Sequence, residues 1–229
     1  MSDPVLFVAA DPRELTAWVN QWESVHPVAL AVNWARAGKW KGRAVAAIAN
    51  GVGAERAFTA AIMAGKISAV CSTGFCGALD DKLDIGDVVM ATEVKNGSQT
   101  YPASLPRGPQ AVLGPVASID HVAQTASEKS SLRETGAVIV EMEAAGVARA
   151  AEDLGVPFYC VRAVSDLATE DLANDFNAAL TSDGNFSLIR LITGALARPR
   201  QRFSELLRLQ RRTTIASKKL GDFLANTTF

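Results

Sequence analysis

Short runs of β-branched and small apolar residues alternate along this chain with alanine-rich segments of helical spacing. That alternation admits few architectures other than an α/β sandwich with a largely buried sheet. Strands are expected at residues 5–10, 44–49, 69–72, 87–94, 137–142 and 158–164, and helices at 12–22, 54–64, 143–154, 185–196 and 202–224. In the third helix Ala144, Val147, Ala148, Ala151 and Leu154 recur every three or four residues, a narrow face able to press close to a sheet. At 229 residues, 48% of them hydrophobic, the chain can bury one substantial core. One domain spanning 1–229 is expected, ending in a basic helical segment at about 185–225. The prolines and glycines of 96–109 mark the most irregular stretch, a surface loop, a lid or a subunit contact.

Two stretches carry the chemistry. In Val140-Glu141-Met142-Glu143-Ala144-Ala145-Gly146, and again in Val161-Arg162-Ala163-Val164-Ser165-Asp166, an apolar run stops at acidic or hydroxyl residues. Glu143 and Asp166 are thereby placed at strand ends, where ligands of open α/β sheets sit, and a substrate held by two carboxylates is the functional reading. Each residue has a plainer alternative. Glu143 opens a helix, where the dipole favours an acid. Asp166 and Ser165 suit a cap. Glu14 completes a helix start with Asp11 and Pro12. Met142 alone reads as core. Arg162, in mid-strand, demands a buried carboxylate partner in either case.

Several function classes drop out. Gly51-Val52-Gly53-Ala54 lacks the third glycine of a dinucleotide loop and the lysine of a phosphate loop, so it reads as a tight turn into a helix. The histidines, His26 and His121, have no triad context, which leaves Cys76 a small pocket-lining residue rather than a nucleophile. No residues stand at metal-ligand spacing, and no metal or cofactor is called for. A net charge of −1 offers nucleic acid no general attraction. Three cysteines make no disulfide framework, the N-terminus lacks a signal peptide, and no window reaches about 18 apolar residues. A soluble, cytoplasmic protein is expected.

Ser72-Thr73-Gly74-Phe75-Cys76-Gly77-Ala78-Leu79, then Leu83-Asp84-Ile85-Gly86-Asp87-Val88-Val89 with Thr92-Glu93, resembles the glycine turn and following signature of the purine nucleoside phosphorylase and nucleosidase superfamily. The blocks at 140–146 and 162–168 are similar to its two later motifs, and Phe7-Val8-Ala9-Ala10 with Glu14 resembles its first strand. The resemblance implies a three-layer αβα sandwich around a central mixed β-sheet, cleavage of the N-glycosidic bond of a purine nucleoside, and a homo-oligomer, most simply a dimer. By similarity, Asp166, beside Ser165, would protonate the purine at N7. Glu143 would accept hydrogen bonds from the ribose hydroxyls over Met142. Glu14 would orient a water at C1′, with Arg162 nearby.

Phosphorylases of this superfamily place an arginine beside the glycine turn to meet phosphate; here that turn has none. Water is therefore the expected nucleophile, and the chain resembles methylthioadenosine/S-adenosylhomocysteine nucleosidases in this. A phosphate-dependent phosphorylase and a non-catalytic nucleoside-binding protein are the alternatives, and intact Glu14, Glu143 and Asp166 weigh for an enzyme. Around 117–123 the chain departs from those nucleosidases, so Phe75, His121 and Val122 are the substitute walls for the base. The segment from Gly114 through Glu128-Lys129 and Leu132-Arg133 is closer to nucleosidases that remove adenine from an adenosylated hopane lipid. From Arg190 to Lys219 nine Lys/Arg stand against Glu205 alone, while the remainder holds 14 basic and 23 acidic residues. That basic stretch suits an anionic lipid surface. The favoured alternative to a membrane surface is a helix packed on the acidic body or on a second subunit.

Overall fold

The computed structural model describes residues 3–181, 183–187 and 199–229, with backbone alone for 199–201. Its strands are β1 (Val5–Ala9), β2 (Glu23–Pro27), β3 (Trp34–Trp40), β4 (Arg43–Ala49), β5 (Ala69–Ala78), β6 (Val88–Asn96), β7 (Gln99–Pro102), β8 (Val112–Ser118), β9 (Ile139–Glu141) and β10 (Phe158–Asp166). They form one mixed sheet in the order β10-β6-β8-β9-β5-β1-β4-β3-β2, with β7 on β6. Because β10 also pairs with β5, the five strands β10, β6, β8, β9 and β5 close on themselves, while β1, β4, β3 and β2 extend outward from β5. Strands β4, β1, β5 and β10 run parallel and so finish at one edge.

Strand alternation divides the core into layers. Leu6 and Val8 of β1 face a cluster with the alanines of α2 (Ala54–Met63) and α4 (Ala144–Leu154). Phe7 and Ala9 face the opposite way, against Trp18 of α1 (Thr16–Val19) and Leu220 and Leu224 of the C-terminal helix Pro199–Ala225. Successive side chains of a strand point to opposite faces, so each face carries a helical layer, the expected αβα arrangement with a mixed sheet. On α4 the expected face is buried at Ala144, Val147, Ala148 and Ala151.

Several elements differ from the sequence reading. The helix expected at 12–22 is a single turn, Pro12–Glu14, followed by only Thr16–Val19. The chain then turns back so that Trp22 packs edge-on against Trp18, with ring centroids 4.9 Å apart. β2 is exposed along its whole length, which removes the alternation that marks a strand. β3 is low in β-branched residues and is held by its register with β4. β7 and β8 lie within or just after the stretch read as irregular. The apolar run alone ends β5 at Ser72, yet the strand continues to Ala78 because β10 pairs it through Gly77 and β9 takes over at Gly77 and Ala78. A further helix, α3 (Ala126–Arg133), is capped by Thr125. The helix expected at 185–196 lies mostly outside the described residues.

The basic C-terminal helix is tied to the body. Glu205 is buried and accepts the backbone N–H groups of Ala173 and Asn174 at 2.6 and 2.7 Å, and Arg212 makes a bidentate pair with Glu170. Both contacts hold the segment that follows Asp166.

Candidate active site

The turn after β1 forms because Asp11 caps it and Pro12 needs no hydrogen-bond partner for its nitrogen. Glu14 completes the capping box, its Oε2 accepting from the N–H groups of Ala10 and Asp11, each at 2.9 Å. The cap explains only one oxygen. Oε1 accepts from the N–H of Phe75 at 2.7 Å, binding the turn to β5 across the sheet edge. Glu14 is buried, and that burial pushes its carboxyl above the usual range against the pull of Arg162 and two backbone N–H groups.

Arg162 is fully buried on β10, in register with Gly74 of β5. A side chain at Gly74 would place its Cβ 2.5 Å from Glu14 Oε1 and 2.9 Å from Arg162 Nη1, on a backbone with φ of +147°. Only glycine leaves the carboxylate and the guanidinium their approach. Arg162 donates to Ser72 Oγ at 2.6 Å, to Glu143 Oε2 at 3.2 Å and, in a short contact, to Glu141 Oε2. Burial works against its charge, but the carboxylates of Glu141 and Glu143 keep its pKa above the ordinary value.

The two glutamates at the start of α4 divide two roles that the sequence could not separate. Glu141 satisfies the open end of the helix, its Oε2 accepting from the N–H groups of Glu143 and Ala144 at 2.9 and 2.8 Å. Glu143 makes no cap. Its carboxylate reaches over to Arg162 and to the N–H of Gly53 at 3.2 Å, in the turn after β4. Burial, with Glu141 and Glu14 adding repulsion, raises its pKa to about 7 despite Arg162. The helix-charge alternative for Glu143 therefore does not describe where its side chain goes.

A second centre lies at the end of β10. The register between β10 and β5 shifts between Val164 and Asp166, so Ser165 is the extra residue of a bulge, a device that re-aims a side chain. Asp166 comes to lie beside Gly77, where a Cβ would stand 2.8 Å from its Oδ2. Ser165 Oγ lies 3.0 Å from Asp166 Oδ1 and 3.2 Å from the carbonyl of Cys76. Lys129 of α3, fully buried, donates to Asp166 Oδ2 at 2.6 Å and to the carbonyl of Leu167 at 2.7 Å.

Glu14, Arg162, Glu143, Phe75, Cys76, Gly77, Ser165 and Asp166 are thus joined through the end of β5, with Met142 buried between Glu141 and Glu143. The Cys76 thiol is held well above its ordinary pKa by burial, the environment of an inert cysteine. His121 is exposed, its ring nitrogens 2.7 Å from Asp120 and 2.6 Å from Glu128, and those carboxylates raise its pKa. Val122 exchanges hydrogen bonds with the side chain of Asn177, tying its loop to the chain beyond Asp166. A cavity of about 480 Å³ opens between Leu79, Lys82, Arg133 and Thr169, and no residue of either centre lines it. Sequence reasoning gives no role to Lys129, Ser72 or Glu141. Lys129 carries a faint signal, since residues 126, 129 and 132 share one face of a polar helix and the middle one is the lysine.

The phosphorylase superfamily model matches residues 4–121 and 100–187. A 5′-methylthioadenosine/S-adenosylhomocysteine nucleosidase of Staphylococcus aureus (strain JH9) is 27% identical over 206 residues, covering 76% of this chain and 90% of that protein. The fold is similar to the enzyme of the same description from Campylobacter jejuni, with a TM-score of 0.72 at 18% identity over 98% of this chain and 97% of that one. It is also similar to the futalosine hydrolase of Helicobacter pylori strain 26695, with a TM-score of 0.70 at 18% identity over 96% of each chain.

Proposed function

The chain belongs to the phosphorylase superfamily, and from that premise we propose that it hydrolyses the N-glycosidic bond of a purine nucleoside, an adenine nucleoside with a substituted 5′ position. The nucleosidase relatives support this reading. The observation that carries it is the Glu14 carboxylate, buried at the Gly74 turn and held by three N–H groups. A phosphate dianion there would meet a carboxylate, and the nearby guanidinium of Arg162 is already shared among Glu141, Glu143 and Ser72. Water suits the same place, because a carboxylate can take a proton from it, and burial, by raising the pKa of Glu14, makes that carboxylate a stronger base.

Glycoside cleavage makes the sugar cationic and the base anionic, so catalysis must stabilise the first and protonate the second. In this reading Glu143 receives the ribose hydroxyls, as a carboxylate matches a cis-diol. Met142 lies under the sugar, Glu14 takes a proton from the attacking water, and Asp166 protonates N7 of the leaving base. Phe75, Cys76 and Gly77 line the path between the two centres. The reading includes a cytoplasmic homodimer, supported by exposed Leu105, Val112 and Leu113 on one stretch of chain, the type of surface a second copy covers.

The test is incubation with methylthioadenosine, S-adenosylhomocysteine, adenosine and inosine, with and without phosphate, followed by chromatography. Free adenine and free sugar without phosphate are expected. Strict dependence on phosphate would overturn the hydrolase reading, and no reaction with any of the four would overturn the soluble-substrate reading.

A further inference from the structure

We propose that Lys129 supplies the proton that Asp166 delivers to the leaving base, an inference that rests on the reading of Asp166 as the acid. A carboxylate paired with an ammonium carries no proton of its own to give. The transferable proton of this pair sits on Lys129 Nζ, 2.6 Å from Asp166 Oδ2. Lys129 is among the largest fully buried side chains of the protein, on a helix where it is the sole buried residue. A buried ammonium is costly unless paired. Passing one proton across the pair leaves two neutral groups, a change that relieves the cost of the buried ammonium.

Lys129 is also built to keep its place after the transfer. The carbonyl of Leu167 accepts from the same Nζ at 2.7 Å, and a neutral amine still donates to it. Asp166 is oriented independently by Ser165 Oγ at 3.0 Å. Glu170, the next carboxylate along the chain, is hydrogen-bonded to Arg212, and the Lys129 charge adds only a smaller pull on it.

The step balances. The Nζ–H bond breaks with its electron pair remaining on nitrogen, and Oδ2 takes the proton. The acid so formed gives that proton to N7 as the N9–C1′ bond breaks and its electron pair passes into the purine, which departs neutral. Water adds to C1′, and its surplus proton goes to Glu14. One proton has left Lys129 and one has reached Glu14; exchange with solvent after product release restores both. Lys129 acts through Asp166 and never touches substrate.

The test compares Lys129→Met, Lys129→Arg and Asp166→Asn on two substrates: methylthioadenosine, whose base needs protonation, and p-nitrophenyl riboside, whose leaving group does not. Lys129→Arg keeps a cation near Asp166 but cannot give up its proton, since guanidinium does not deprotonate in proteins. Both lysine variants are expected to lose about 100-fold or more in kcat on methylthioadenosine, the scale of general acid catalysis. On p-nitrophenyl riboside they should keep a rate close to that of the wild type. Normal methylthioadenosine turnover in Lys129→Arg would overturn proton supply in favour of simple charge. A parallel fall on both substrates in both variants would overturn it in favour of a structural role. Should Asp166→Asn itself turn over methylthioadenosine normally, the assignment of Asp166 as the acid fails first. Loss in Asp166→Asn with full activity in Lys129→Met would sink the Lys129 proposal alone.

Discussion

The two centres at the end of β5 are opposites in how they distribute charge. Around Arg162, Glu14, Glu141 and Glu143 crowd a single guanidinium, all buried. At the bulge, Asp166 is paired with the ammonium of Lys129, whose second hydrogen bond goes to the carbonyl of Leu167 and whose charge also acts on Glu170. Where acids outnumber cations, burial and mutual repulsion push protons on to the carboxylates, and Glu143 and Glu14 both rise above their ordinary values. The pair at the other end is balanced and can exchange one proton internally. Under the proposed function the crowded centre faces the sugar, where positive charge develops, and the balanced pair faces the base, where a proton is needed. One strand end therefore holds two electrostatic environments, separated by the residues from Gly74 to Gly77.

Removing the one cation of the crowded centre is the harshest way to break this contrast. Arg162→Met leaves buried carboxylates unpaired, a loss of about 3–5 kcal/mol of stability. The loss should be largest at pH 8 and shrink toward pH 5, because the carboxylates can then fold protonated. Urea unfolding at both values measures it; an equal loss at the two would mean that packing of the side chain, not its charge, dominates. Next in size is Gly74→Ala. Its Cβ would press on Glu14 and Arg162, and Glu14, fixed by three N–H groups, cannot retreat. Overpacking of this kind costs about 1–3 kcal/mol, and turnover should fall with it.

Glu143→Gln sharpens the comparison through pH. Its wild-type carboxyl has a folded pKa of about 7 against an ordinary 4.5, so the stability this group contributes is fully present below pH 4.5 and is lost as pH rises to about 7. Glutamine does not titrate. Relative to the wild type, the variant should therefore gain stability between those values and change little above them, while ribose binding weakens throughout. A stability difference that is flat with pH would show that Glu143 does not take up a proton on folding.

How much of this is legible in the sequence depends on which force places each residue. Glu143 and Asp166 are readable because they end apolar runs, and a strand that stops in acid marks the edge of a parallel sheet. Arg162 announces a buried carboxylate partner by its position, and the structure gives it both Glu141 and Glu143; that Glu141 also closes the open helix end follows from hydrogen bonds to two N–H groups that the chain does not announce. Lys129 is obscured because the helix around it is polar, and its ammonium is held by Asp166 and Leu167, residues far along the chain. β2 and β3 escape a sequence reading for a related reason, since the pairing of β2 with β3 and of β3 with β4, rather than their own patterning, makes them strands.

The mildest test lies between the centres. Gly77→Ala would bring a Cβ to 2.8 Å from Asp166 Oδ2 and 3.2 Å from Val140 Cγ1, yet Gly77 has no positive φ to strain. Asp166, unlike Glu14, is partly exposed, with 16% of its side chain accessible, and follows a bulge that can adjust. The methyl group should therefore shift the carboxylate rather than unfold the protein, costing about 1 kcal/mol or less of stability. A displaced Asp166 loses its short contact with Lys129, so kcat on methylthioadenosine should still fall about tenfold, while p-nitrophenyl riboside, which needs no acid, stays near the wild-type rate. Because Gly74→Ala disturbs the sugar-facing centre instead, it should slow both substrates alike. If the two alanine variants gave the same substrate pattern, the two centres would not be separable, and the contrast between a crowded and a balanced end would have no consequence for catalysis.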